Sequence, residues 1–524
     1  MDFLQGISPR EYQQKIFETC INKNCLVVLP TGLGKTLIAL MLSIERMKKY
    51  PGEKVVFLAP TKPLAEQHMT YFTKHLPELF ADMQLFTGLV KAEQRKKIWR
   101  TSDIIFSTPQ CVANDVKNNL YSLKEVCLLI EDEAHRCIRN YDYNYLADNY
   151  QKNSSHPRIL GLTASPGNEK SRIKEICRNL FIEEVELRTR DSGDVKEYLQ
   201  ELKFEKVVVN FPPEFEEIRA LLRKIFDSFI VELKNRRLLF GNYSKTGLIE
   251  LQKKIMHSIS MGNKNFNYLL GASTCASAIK IQHALELLET QTLSSFNDYL
   301  KDLLYQAEKK KSKGVVKLVS KPEFNKAYAK SNELLALKTE HPKINELMKI
   351  IKYEKSKNNN MKIIIFTQFR NTATIISRKM NEIQGICSKV FVGQAKKSNY
   401  GENTGLSQKE QKKMINDFSS GEINILCATS IGEEGLDIPE VNAVIFYESV
   451  PSAIRKIQRS GRTARLMKGK LIMLITKGTR DETFYYVSRQ REKRMQSAID
   501  SIKEDFSNGK RFMIKQKNIN EFEK

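Results

Sequence analysis

The sequence predicts an α/β protein: two doubly wound parallel-sheet domains with a mostly helical insertion between them. Three observations carry this. Short apolar runs alternate with amphipathic helical segments from Leu26 to Leu180. The same alternation resumes after His341. Between them, from Glu214 to Lys338, helical periodicity continues with little strand signal.

In the first block, strands are expected at Leu26–Pro30, Val55–Ala59, Asp103–Ser107, Val126–Ile130 and Ile159–Thr163. Helices are expected at Leu37–Lys49, Pro63–His75, Lys91–Trp99, Gln110–Asn118 and Glu169–Leu180. Strand runs that are apolar throughout suit a parallel sheet covered on both faces. Repeated βα units make a doubly wound domain, and such sheets bind ligands outside the carboxyl ends of their strands. The stretches Pro30–Thr36, Pro60–Leu64, Thr108–Gln110, Glu131–His135 and Ala164–Gly167 should therefore share one rim. A strand at Lys206–Phe211 and the breaker Pro212-Pro213 lead into helices at Glu214–Phe240, Leu248–Ser260, Thr274–Glu289, Ser294–Lys311 and Pro322–Lys338. The second block has strands at Lys362–Thr367, Lys389–Val392, Asn424–Ala428, Ala443–Tyr447 and Lys470–Ile475. Its helices are Asn371–Ile383, Ser407–Ser419 and Ala453–Ser460, and a charged helix follows from Arg480. The expected domains are 1–203, 204–340, 341–480 and a charged C-terminal helix and tail, 481–524.

Composition narrows the class. The chain has 524 residues, 41% of them hydrophobic, enough for sizeable cores. No run reaches the ~18 apolar residues of a membrane span, and Met1–Gln5 lacks the basic and apolar regions of a signal peptide. The expectation is an intracellular protein, cytoplasmic and nucleoid-associated. Nine cysteines are scattered without a CxxC pair, which argues against a disulfide framework or a zinc site. A net charge of +24 points to a polyanionic partner. The lysines from Lys309 to Lys330 make the end of the insertion a candidate surface for it.

One stretch organises the chemistry. Val27-Val28-Leu29-Pro30-Thr31-Gly32-Leu33-Gly34-Lys35-Thr36 runs from strand through a tight loop into a helix. Loop amides and the positive end of the helix dipole would cradle a phosphate. Lys35 would reach the β- and γ-phosphates, and the Thr36 hydroxyl would ligate Mg²⁺. The strict pattern has Gly where Leu29 stands. About a hundred residues on, an apolar strand runs into Glu131-Asp132-Glu133-Ala134-His135. Asp132 is assigned to the metal and Glu133 to the base that orients the attacking water. Glu131 either faces solvent or adds charge near the metal. In the second block Gln458-Arg459-Ser460-Gly461-Arg462-Thr463-Ala464-Arg465 sets arginines three apart on one helical face. Guanidinium groups there suit phosphate contact during phosphoryl transfer.

The ordered set resembles the motifs of superfamily 2 helicases. Motif I is Pro30–Thr36, motif II Asp132–His135, motif III Thr163-Ala164-Ser165, motif V Ala428–Pro439 and motif VI Gln458–Arg465. Ala59–Leu64, Ser107–Gln110 and Ile365–Arg370 resemble motifs Ia, Ib and IV. Within that superfamily the chain is most similar to the helicase part of archaeal Hef and the Fanconi-anaemia M-type translocases. RIG-I-like and Dicer helicases are near neighbours.

The resemblance implies two RecA-like domains closing on ATP and Mg²⁺. Gln13 would read the adenine, and Pro30, Thr31, Gly32, Leu33 and Gly34 would line the phosphate loop. Arg462 and Arg465 would complete catalysis from the second domain, and Asp437 would sit by the ribose. Thr61, Lys62, Thr87, Gly88, Thr108, Gln368, Arg370 and Thr429 would hold the nucleic-acid backbone. The implied activity is an ATP-dependent 3′–5′ helicase or translocase on forked, branched or single-stranded DNA. An RNA-directed motor is the alternative. The chain ends before any nuclease module, so a separate nuclease or a sliding clamp is the further partner class implied.

Overall fold

The computed structural model describes residues 3–139, 141–189, 192–198, 202–241, 243–262, 265–310, 312–393, 398–399, 402–403, 405–429, 439–449 and 469–509. Seven strands form the first sheet: β1 (Cys25–Val28), β2 (Lys54–Leu58), β3 (Met83–Phe86), β4 (Ile104–Ser107), β5 (Val126–Asp132), β6 (Ile159–Thr163) and β7 (Glu184–Leu187). Their spatial order is β3-β4-β2-β5-β6-β1-β7, parallel throughout. Successive residues of one strand feed opposite faces, as the period-two geometry requires. Leu26 and Val28 join one core with Val56 and Leu58, while Val27 joins the other with Val55 and Phe57. Helices α1 (Glu11–Asn22), α2 (Lys35–Lys49), α3 (Lys62–His75), α4 (Ala92–Thr101), α5 (Pro109–Lys117), α6 (Asp142–Asn153) and α7 (Lys170–Asn179) cover the two faces.

Two strands and a helix of this domain escaped the sequence reading. β3 and β7 are the sheet's edges, where Gln84, Glu184 and Glu186 interrupt the apolar run. Edge strands are half-buried, and their polar residues mask the signal. Helix α6 does bury a periodic stripe, Tyr143, Leu146, Ala147 and Tyr150. Its surrounding Asp, Asn and Tyr residues have weak helix propensity.

The first domain boundary needs correction. β8 (Leu202–Val209) is neither part of the first domain nor the head of the insertion. It pairs in parallel along its whole length with the last strand of the second sheet, from Leu202 opposite Gly469 to Val209 opposite Thr476. The chain therefore crosses to the second sheet before entering the insertion at Pro212-Pro213. A single helical turn, α8 (Gly193–Lys196), precedes β8; the insertion comprises α9 (Pro213–Asn235), α10 (Lys245–Ser260), α11 (Phe266–Thr290), α12 (Leu293–Glu308), α13 (Lys313–Val319) and α14 (Pro322–Ala336). They enclose a core of their own around Phe215, Leu222, Phe296 and Phe324.

After α15 (Pro342–Lys357), the second domain adds β9 (Ile363–Phe366), β10 (Ser388–Phe391), the short antiparallel pair β11 (Ser398–Asn399) and β12 (Glu402–Asn403), β13 (Ile425–Ala428), β14 (Ala443–Phe446) and β15 (Gly469–Thr476). The sheet order is β10-β13-β9-β14-β15-β8. Helices α16 (Arg370–Asn381) and α17 (Gln408–Ser420) pack beside it. The expected helix at Ala453–Ser460 lies outside the described residues.

Two features tie the units together. Lys343, fully buried, donates to Asp481 at 2.6 Å, to the Thr290 carbonyl at 2.8 Å and to the Tyr447 carbonyl at 2.9 Å. Asp481 also accepts from the backbone amides of Ser449 and Thr476. The end of α11, the start of α15, the ends of β14 and β15 and the C-terminal helix thus share one buried ion pair. Beside it, burial and then the Lys343 charge hold the His341 imidazole well below its usual pKa. The second tie is the C-terminal helix, Arg480–Ser507. Met495, Ala498, Ile499 and Ile502 sink into the first domain's core, and Asp505 pairs with Lys170 and Lys174 at 2.9 and 3.0 Å. The charged helix expected from Arg480 is a strut between the domains as far as Ser507. Among the described residues no helix is long and apolar enough to cross a membrane.

Candidate nucleotide site and nucleic-acid rim

All five stretches expected on one rim follow parallel strands of one sheet, so they do share it. The rim divides along the strand order. β5, β6 and β1 carry motifs II, III and I. The neighbouring β3, β4 and β2 end in Thr87-Gly88, Thr108 and Thr61-Lys62.

The phosphate loop leaves β1 with Leu29 donating to the Thr163 carbonyl at 3.0 Å. Gly32 and Gly34 take left-handed conformations, φ 88° and 76°, which favour glycine. Tyr12 donates to the Leu33 carbonyl at 2.9 Å, and Gln13 donates to it at 3.2 Å. The Gln13 amide oxygen accepts from the Arg10 amide at 2.8 Å. Gln13 is thus buried against the loop itself, where it fixes the loop's shape. A Cβ at Gly34 would collide with the Gln13 amide. Gly34→Ala is therefore expected to weaken nucleotide binding by roughly ten- to a hundredfold, combining strain and collision. Titration with fluorescent ADP checks this; wild-type affinity would contradict it.

Lys35 opens α2, with its ammonium on the Leu29 carbonyl at 2.8 Å. The Thr31 hydroxyl is shielded and has no hydrogen-bond partner. A polar atom buried without a partner is costly. Together with the left-handed glycines, the helix N-terminus and the lysine, it suits a nucleotide phosphate.

Motif II closes the cradle. Asp132 and Glu133 are both buried at the end of β5, and Glu133 has φ 53°, a strained conformation typical of functional positions. Burial pushes the Asp132 carboxyl up. The charge of His68 and its hydrogen bond, and then the charge of Lys35, outweigh that and hold it below its usual value. The Tyr143 hydroxyl donates to the Asp132 carbonyl at 2.7 Å. His135 lies 3.2 Å from the Glu133 carboxylate and 3.2 Å from the Thr163 hydroxyl, which also accepts from the Ser165 amide at 3.1 Å. Motifs II and III are thereby wired together. Ser165 in turn donates to the Met495 sulfur of the C-terminal helix at 2.9 Å.

The structure decides the open question of Glu131. It does not face solvent. It is fully buried, burial holds its carboxyl well above the usual range, and Cys137 donates to it at 3.0 Å.

His68 and Tyr143 are the site residues that sequence reasoning missed. His68 had a signal: it shares the buried stripe of α3 with Ala65 and Phe72, where a polar side chain needs a partner. Tyr143 lay in the unread helix α6.

Of the backbone-contact candidates, Thr61 and Thr108 are the N-cap residues of α3 and α5, and Thr61 and Gly88 are exposed. In the second domain Gln368 and Arg370 follow β9 and Thr429 follows β13, adjacent strands again. The Gln368 amide is held by the Glu448 carboxylate. Asp437, Arg462 and Arg465, with most of motif V and all of motif VI, lie outside the described residues.

Fold and site together define the motor of a nucleotide-dependent helicase, two parallel-sheet domains with the phosphate loop and the acidic motif on one rim. Comparison with known proteins agrees. Residues 10–173 match the DEAD/DEAH box helicase family, residues 342–467 the helicase conserved C-terminal domain, and residues 214–339 the helical bundle of a putative ATP-dependent RNA helicase. The solved helicase domain of Pyrococcus furiosus Hef is 41% identical, with a TM-score of 0.71, covering 93% of this chain and all of that one. A putative ATP-dependent RNA helicase of Methanocaldococcus jannaschii is 36% identical over 95% of this chain and 61% of its own length. The mouse Fanconi anemia group M protein homolog is 30% identical over 94% of this chain and 26% of its own length. The chain thus spans less than two thirds of these curated relatives. It belongs to the superfamily 2 helicases of the Hef and Fanconi-anaemia M type, a family of ATP-dependent helicase enzymes.

Proposed function

We propose that the protein is an ATP-dependent DNA motor acting on forked or branched DNA, moving 3′ to 5′ along one strand. The division of the first sheet's rim supports this best: the nucleotide half and the backbone-gripping half are contiguous, joined where β2 meets β5. Lys35 and the loop amides hold the phosphates. Thr36 and Asp132 would hold Mg²⁺, which supplies charge neutralisation on the phosphates when bound. Glu133 orients and deprotonates the attacking water. Gln13 contacts the adenine as well as its loop, and Asp437 the ribose. Arg462 and Arg465 complete the site from the second domain, so that domain closure couples chemistry to movement. The His135–Thr163–Ser165–Met495 series gives that movement a physical connection to the strut.

Thr61, Lys62, Thr87, Gly88, Thr108, Gln368, Arg370 and Thr429 grip phosphates rather than bases, and the basic end of the insertion holds the arms of a fork. Such binding is tolerant of sequence and sensitive to salt. Fork affinity measured by anisotropy should fall steeply with salt. Neutralising Lys313 and Lys326 should lower the log–log salt slope by about one per lost contact. An unchanged slope would remove the insertion from the interface. Relatives named as ATP-dependent DNA helicases favour DNA, among them the fission yeast fml1 and Sclerotinia sclerotiorum mph1 products. The Methanocaldococcus relative and the helical-bundle family carry RNA in their descriptions, which keeps an RNA-directed motor as the second reading.

A further inference from the structure

One ring joins the two residues that would hold the cation. The His68 Nδ1 lies 3.4 Å from the Thr36 hydroxyl, and its Nε2 lies 2.9 Å from Asp132 Oδ2. The ring is buried and packs on Phe57 at a 30° tilt, centroids 4.4 Å apart, so α3 and β2 fix its orientation. A neutral imidazole has one donor and one acceptor nitrogen. Both are used here if Nε2–H donates to the Asp132 carboxylate and Nδ1 accepts the Thr36 hydroxyl proton. This pairing has a consequence for ligation. With its proton directed to Nδ1, Thr36 Oγ1 presents lone pairs elsewhere. With Oδ2 engaged by Nε2–H, the Asp132 carboxylate is fixed in rotation and Oδ1 is left for the cation.

We propose that His68 is a positioning residue for the divalent cation: a single imidazole that orients both the hydroxyl and the carboxylate ligand, from outside the coordination sphere. It also links metal affinity to α3, the helix that begins at the backbone-gripping Thr61 and Lys62. Metal ligands are commonly oriented by such outer partners, whose loss costs roughly 10- to 100-fold in metal affinity. The inference rests on the reading of Thr36 and Asp132 as cation ligands.

The test is magnesium dependence of fluorescent-ADP binding, a readout separate from turnover. In the wild-type chain, added Mg²⁺ should tighten binding; if it does not, the cation reading itself fails. Given that it does, His68→Ala should raise the Mg²⁺ concentration for half-maximal effect about tenfold or more, while leaving ADP affinity in EDTA unchanged. His68→Gln, which can still donate to Asp132 but cannot bridge to Thr36, should fall between the two. Should His68→Ala fail to fold by circular dichroism, His68→Gln and His68→Asn carry the test. Wild-type magnesium dependence in a folded variant would overturn the proposal. So would tighter magnesium binding, which would make His68 a competitor of the cation. A variant that weakens ADP equally in EDTA and Mg²⁺ would reveal only a structural role and would overturn it as well.

Discussion

Replacing Lys35 with alanine is expected to lower steady-state ATP hydrolysis by roughly 10²- to 10³-fold, the usual effect of removing one preorganised donor to developing charge. The ammonium sits at the first turn of α2, on the Leu29 carbonyl that begins the loop, so it is confined to the phosphate cradle. It is also one of the charges that hold Asp132 below its ordinary pKa. Removing it would therefore take away the proposed phosphate contact and loosen the hold on the anionic form of Asp132. Arginine should not rescue, because a planar guanidinium does not fit where a compact ammonium does. The fold should survive, since the α2 residues behind Lys35, from Leu37 to Ile44, are buried independently of it. A coupled hydrolysis assay, with circular dichroism as the control, checks this. Undiminished turnover would remove the loop from the active site.

The second large effect is on stability. Lys343→Met should cost about 3–5 kcal/mol, because it leaves the Asp481 carboxylate buried without its cation. Both side chains are wholly inaccessible, and the lysine also satisfies the carbonyls of Thr290 and Tyr447. The loss should appear as a lower urea midpoint for the second domain and insertion, and as faster proteolysis between them. Removing both charges, as Lys343→Met with Asp481→Leu, should restore a good part of it, since no lone charge then remains buried. A change below about 1 kcal/mol in the single variant, typical of an exposed pair, would contradict the assigned geometry.

What could be read from the sequence follows burial. β1, β2, β4, β5 and β6 lie inside the sheet with both faces covered, and a strand buried twice is apolar at every position. β3 and β7 are edges, and in them charge and polarity interrupt the pattern. β8 is legible as extended chain, but its partner is β15, more than two hundred residues away. Local pattern carries no information about which sheet an edge strand joins. The C-terminal helix shows the same limit. Its charge is visible in sequence, whereas the narrow stripe Met495, Ala498, Ile499 and Ile502 acquires meaning only against α7 and β7.

At the candidate site, Lys35, Thr36, Asp132 and Glu133 stand out in the sequence because phosphate chemistry would fix residue type and spacing within short segments. His68 was not, because its role depends on a distance between α3, α2 and β5 that no local spacing encodes. Glu131 was legible as an anomaly only. A carboxyl inside a strand is explained by its burial and by the thiol of Cys137, six residues on.

The central claim is that the rim carries one ATP site and one DNA grip, and that they are coupled. Its most direct test is the rate of ATP hydrolysis at fixed salt with no nucleic acid, single-stranded DNA, forked DNA, a four-way junction or duplex RNA. The account predicts strong stimulation by forked and junction DNA, lost in Glu133→Gln while fork binding persists. Hydrolysis indifferent to DNA, or stimulated equally by duplex RNA, would contradict it.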